Sequence, residues 1–169
     1  GFGPSNGLIM GTRSGDIDHS LIFYLTEKLV YAGEEVNRLL VSESGMYGLT
    51  GFKDLRDIQQ EASKGDSKCL LALDMMNYRI QKFIGAYAAI MNGLDVLVFT
   101  AGIGENSSLV RESVCRDMDY LGIQIHPERN QNPQPGICEL QSEDSRVKIL
   151  IIPTNEELEI ARQTYRLLE

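Results

Sequence analysis

Three short stretches of this chain carry residue types that could do chemistry on a phosphate. The first is TAGIGEN at residues 100–106, behind an apolar run and ahead of a helical pattern. Gly102 and Gly104 let backbone approach a ligand with no Cβ in the way, and a helix that follows would aim N–H groups at an anion. The stretch is neither a Walker loop, which needs a closing Gly-Lys-Ser/Thr, nor a full G-x-G-x-x-G, because Ser107 stands at the third glycine position. A tight strand-to-helix turn reads equally well. The second stretch places Arg13 between Gly11 and Gly15, a loop with two free hinges. An arginine there offers a fork of donors to a transferring phosphoryl group, or it pairs with Asp16 or Asp18 on the surface. The third is PTNEE at residues 153–157. Thr154 as N-cap and Glu157 three residues on form a capping box, which leaves Glu156 without a local role. A carboxylate beyond a buried strand suits Mg²⁺, held largely through water.

Other residues attract notice and carry less. Tyr47, Phe52, Met75 and Met76 could suggest a cage for a flat base, but at helical spacing Met75 and Met76 read as packing. His19 and His126 have no partner that would make a nucleophilic triad. Cys69, Cys115 and Cys138, an odd number without a CxxC, read as reduced thiols of a cytosolic protein.

The elements that must position these residues follow from periodicity. Helical spacing runs from Ser20 to Val30 and from Glu34 to Val41, with a stop near Ser44 and Gly45. Asp54 is placed as the N-cap of a short helix, with Asp57 three residues on. Residues 66–92 form the longest periodic segment, with Leu70, Leu73, Met76, Ile80, Phe83, Ile84, Tyr87 and Ile90 on its apolar face. Residues 95–100 and 147–152 are β-branched apolar runs, as expected of strands buried on both faces. Helices are expected over 107–118 and 156–168, and residues 127–146 read as an irregular excursion. Helices alternating with buried strands indicate α/β layers around a mixed or parallel sheet. Ligands in such sheets sit beyond the carboxyl ends of the strands.

Composition narrows the function. With 169 residues the chain fits one domain, and 43% hydrophobic content supports a core. A net charge of −8 without a basic run argues against nucleic acid, whose binders need a cationic face. No apolar stretch approaches the roughly 20 residues that span a bilayer, and no membrane role is expected. The opening Gly1-Phe2-Gly3-Pro4, without an initiator Met, reads like the middle of a longer protein.

Taken together, GTRSGDID (11–18), KDLRDI (53–58), TAGIGEN (100–106) and IPTNEE (152–157), in that order over nearly the whole chain, resemble the acetate/propionate kinase family. That family belongs to the superfamily of acetate and sugar kinases, heat-shock chaperones and actin. The resemblance implies an actin-like ATPase (ribonuclease-H-like) α/β domain, with a mixed sheet and helices on both faces. It implies ATP + acetate ⇌ ADP + acetyl phosphate with Mg²⁺, or the propionate reaction. Arg13 would stabilise charge on the phosphoryl group in transfer. Asp54, Leu55 and Arg56 would line the adenosine pocket, Leu55 replacing an often aromatic residue. Gly102, Ile103, Gly104, Glu105 and Asn106 would contact the nucleotide, Ile103 against the adenine, and Glu156 would help hold Mg²⁺. His19 departs from the proline common in the family. Members have a second domain that supplies an acetate-binding Arg, a catalytic Asp, an Asn near Mg²⁺ and His residues. Nothing in this chain can stand in for that set. Residues 1–169 are therefore expected to be a single domain, the C-terminal nucleotide-binding half, inactive alone, cytoplasmic, and homodimeric through an exposed apolar face. A dimerisation scaffold with vestigial nucleotide sites is the alternative from another class.

Overall fold

A computed structural model describes residues 3–168. The chain divides into two compact units, 1–84 and 85–169, the boundary falling inside its longest helix.

The first unit is helical. Helix α1 (Ser20–Phe23) runs into a π-helical stretch, Tyr24–Lys28, so the expected helix forms but with a changed winding. Then come α2 (Gly33–Ser42), α3 (Gly45–Thr50), α4 (Leu55–Ser63) and α5 (Ser67–Ile90). Asp54 caps α4 as expected, its carboxylate accepting from the Arg56 N–H. Gly45 does not stop α2. It opens α3 with φ of +63°, and Glu43 is the C-cap of α2.

The phase of α5 differs from the expected one. Cys69, Ala72 and Met76 are its buried residues in this unit, while Leu70 faces out. Met75 is exposed although Met76 is buried, because neighbours on a helix point about 100° apart. Leu25, Val36, Met46, Ile58 and Ala62 are also buried in this unit.

The second unit holds the sheet and is α/β. Its elements are β1 (Val96–Phe99), α6 (Ala101–Asn106), α7 (Ser108–Cys115), α8 (Pro127–Gln131), β2 (Cys138–Glu139), β3 (Lys148–Ile151) and α9 (Glu156–Arg166). The sheet order is β1-β3-β2. β1 and β3 are parallel, with Val96 opposite Lys148 and Phe99 opposite Ile151, and β2 is antiparallel to β3.

Three sequence expectations are corrected here. The strands are not buried on both faces: Phe99, Ile149 and Ile151 are buried, whereas Val96 and Val98 on the alternate face are 39% and 43% exposed. A β-branched run looks the same whether one face or two are covered. The irregular excursion contains α8 and the edge strand β2, too short to show a period. Helix α7 stops at Cys115 instead of reaching Met118. The three cysteines are free and buried, and burial pushes the Cys115 thiol up to about 12.

Candidate functional site

Arg13 sits on a loop whose backbone is hydrogen-bonded on both sides. The Ser14 N–H donates to the Leu40 carbonyl (3.0 Å), and the Thr12 hydroxyl donates to the Val41 carbonyl (3.0 Å). These bonds satisfy carbonyls in the last turn of α2, which have no partner inside the helix. The Met10 and Gly11 carbonyls accept from the Met46 and Tyr47 N–H groups of α3 (2.9 and 2.8 Å).

The loop is therefore wedged between the end of α2 and the start of α3, and it lacks the two free hinges expected. Gly15 is buried at φ of +72°, and a Cβ there would stand 2.6 Å from the Gly7 carbonyl oxygen. The surface pairing weighed for Arg13 does not form. The Asp16 carboxylate accepts from the Gly7 N–H (2.7 Å), and Asp18 accepts from the Ser20 N–H and hydroxyl (2.9 and 2.6 Å). Among the described residues the half-buried Arg13 side chain has no ion pair.

The Asp54–Arg56 segment lies close to this loop. A Cβ on Gly11 would stand 3.6 Å from the Lys53 carbonyl oxygen, and the Lys53 ammonium lies 4.9 Å from the centre of the Tyr47 ring. Asp54 does two jobs. It caps α4 through the Arg56 N–H (2.9 Å) and clamps the Arg56 guanidinium, with Nη2 to Oδ2 at 2.6 Å and Nε to Oδ1 at 3.1 Å. The guanidinium beside it lowers the Asp54 carboxyl from its usual 3.8 to about 2. The Arg56 side chain is 88% exposed, so its planar face is open to stacking. Leu55 is half-buried at the first helical position.

In the second unit, the glycine stretch and the PTNEE segment meet at the carboxyl ends of parallel strands β1 and β3. The Thr100 hydroxyl donates to the Ile152 carbonyl (2.7 Å), and the Ile152 N–H donates to the Phe99 carbonyl (3.0 Å). Glu105 then accepts from both the Thr154 N–H (2.9 Å) and the Thr154 hydroxyl (3.2 Å).

Residues 101–106 are not a loop ahead of a helix. They form α6 directly, entered through Ala101 at φ of +58°. At the start of the following helix α7, the Ser107 hydroxyl accepts from the Val110 N–H, so that one N–H is turned to the cap and away from a ligand. A Cβ on Gly104 would lie 3.2 Å from the Phe99 carbonyl carbon, so glycine lets α6 seat against β1. Ile103 is 48% exposed, and the Asn106 side chain donates back to the Gly102 carbonyl (2.9 Å).

The capping box is corrected. Asn155, not Thr154, caps α9, accepting from the Leu158 N–H (3.0 Å), which puts Glu156 and Glu157 at the first and second helical positions. Glu105 takes the Thr154 N–H, which Glu157 would have accepted in a capping box, and also accepts from the Thr154 hydroxyl. Glu156 is exposed, and among the described residues no three His, Cys, Asp or Glu side chains gather as a metal cage. A lone carboxylate fits a Mg²⁺ whose other ligands are water and phosphate, and does not make a site unaided.

Sequence reasoning missed Arg111, which holds the end of α6, and Asn130, which holds Arg111; both are buried. Their partners lie up to 22 residues away, beyond any local pattern.

The sequence profile of the Acetokinase family matches residues 1–162. An acetate kinase of Flavobacterium johnsoniae is 58% identical over the whole chain, which spans 43% of that protein. The structure of Porphyromonas gingivalis acetate kinase matches with a TM-score of 0.91 at 39% identity, covering 100% of this chain and 43% of that one. A propionate kinase from Francisella tularensis matches with a TM-score of 0.87 at 40% identity, covering 94% of this chain and 40% of that one. The chain thus spans about two fifths of the length of the relatives it matches.

Proposed function

The chain belongs to the acetokinase family, and we propose that it is the C-terminal, nucleotide-binding domain of an acetate kinase. The whole protein would transfer a phosphoryl group between ATP and acetate. The observation that carries this reading is the junction at the carboxyl ends of β1 and β3, where Glu105 ties the glycine-bearing α6 to the segment leading into Glu156. That is where an open α/β sheet receives its ligand.

In this reading Arg13 stabilises charge on the phosphoryl group in transfer, a role suited to a cation on a braced loop. Asp54 holds Arg56 ready beside the adenine, with Leu55 in the adenosine pocket. Gly102, Ile103, Gly104 and Asn106 contact the nucleotide through backbone and apolar surface. Glu105 acts on Thr154 and only indirectly on the ligand. A Mg²⁺ oriented by Glu156 would, when bound, neutralise phosphate charge. Acetate would be held by residues outside this chain, and a homodimer in the cytoplasm is the expected setting. The likeness to a propionate kinase leaves these assignments unchanged, because in this reading the acyl group is held by residues outside this chain.

Calorimetry of the chain with ATP and Mg²⁺ tests the proposal. Wild type should bind, and Arg56→Ala should bind at least about tenfold more weakly, the loss of roughly 1.4 kcal/mol. Heat from neither protein would favour the scaffold reading instead. The isolated chain should form no acetyl phosphate, and turnover free of contaminating kinase would refute that part.

A further inference from the structure

Arg111 is only 1% exposed, yet no carboxylate pairs with it among the described residues. Its donors go instead to neutral oxygens. Nη1 reaches the Gly104 and Glu105 carbonyls (both 2.9 Å), Nε the Asn130 side-chain oxygen (2.8 Å), and Nη2 the Asn130 carbonyl (2.9 Å). Asn130, also 1% exposed, donates its side-chain amide to the Ser108 carbonyl (2.9 Å).

Gly104 and Glu105 lie in the last turn of α6, where carbonyls lack helical partners and the helix carries its negative end. Burying a guanidinium is costly, and an apolar side chain could fill the same space without that cost. What an apolar side chain could not do is hold two successive carbonyls of α6 in fixed directions. Gly104 also presses against Phe99 of β1. The α6 backbone is therefore held by both Phe99 and Arg111, and its Glu105 side chain extends that grip to Thr154, one residue before the cap of α9.

We propose that Arg111, oriented by Asn130, is a positioning residue for the nucleotide turn: it sets the backbone of residues 102–105 and, through Glu105, the approach to Glu156. This rests on the reading of Gly102, Ile103, Gly104 and Asn106 as nucleotide contacts. Arg111 itself touches no ligand in this scheme.

The test compares wild type, Arg111→Lys, Arg111→Met and Asn130→Ala by ADP calorimetry and by amide exchange of residues 100–107. Arg111→Met should raise the Kd for ADP about tenfold or more, the scale seen when an orienting partner of a ligand site is lost. Exchange in 100–107 should speed up while β1 and β3 keep their protection. Arg111→Lys keeps the charge without the fork and should fall between wild type and Arg111→Met.

If Arg111→Met does not fold, Arg111→Lys and Asn130→Ala carry the comparison. Unchanged ADP affinity in those two, with wild type binding, overturns the inference and leaves the nucleotide reading intact. Protection lost evenly across residues 85–168 would make Arg111 an ordinary core residue and also overturns it. No ADP binding by wild type overturns the nucleotide reading and the inference together.

Discussion

At Asp54 a single carboxylate caps a helix and clamps an arginine, and both partners prefer it ionised. Its folded pKa of about 2 lies below the usual 3.8. The stabilisation is therefore complete above the usual value and disappears as pH falls through the folded one. Side-chain carboxyl NMR should show Asp54 titrating near pH 2, with the Arg56 amide losing protection over the same range. A midpoint near 4 would mean the clamp does not persist in solution. At the other helix start, Asn155→Ala should lower stability by about 0.5–2 kcal/mol, the usual range for a lost N-cap. Glu157→Ala should change it little, since Glu157 is at the second helical position and not the third. Chemical denaturation of both variants decides this, and the larger loss for Glu157→Ala would restore Thr154 as the cap.

The elements show how a short helix can serve its neighbours more than itself. Helix α3 has six residues, too few to stand alone, but its first N–H groups donate to carbonyls of the Arg13 loop. Gly45 makes that junction possible. It has φ of +63°, and a Cβ there would lie 2.7 Å from the Arg13 carbonyl oxygen. Gly45→Ala should cost at least about 1 kcal/mol from the left-handed conformation alone. It should also shift the amide resonances of residues 10–14, and unchanged resonances there would show that the loop does not depend on α3. Helix α6 is similar: it is entered through a strained Ala101, seated by Gly104 and closed by Arg111. Strain of this kind persists only where surrounding contacts over-determine it.

For the whole molecule, the surface is unusually apolar in places. Phe23, Tyr24 and Val30 are 57%, 54% and 80% exposed in the first unit, and Ile160 and Tyr165 are each 65% exposed in the second. Exposed apolar side chains that gather into a patch commonly mark interfaces. A homodimer is the proposed occupant, so sedimentation equilibrium at micromolar concentration should return twice the 18.9 kDa chain mass. A monomer under those conditions would remove the dimer from the reading. No helix among the described residues is long and apolar enough to cross a membrane.

The sequence by itself determined the helices of strong period, the two longer strands, the Asp54 cap and the family. Each of these is written in residues a few positions apart or in motifs read in order. Tertiary structure decided the rest. Thr154 and Asn155 are both good caps by type; in the fold Asn155 caps α9, while Thr154 donates to Glu105, 49 residues away. The α5 face, the one-sided burial of β1 and the two-residue strand β2 depend on what packs against them, which local pattern does not encode. Arg111 looks like any charged residue on a helix until Asn130 folds back across 19 residues to meet it. Hydrogen bonds between distant segments are directional and short-ranged, so the chain reveals them only once the fold has brought their partners into reach.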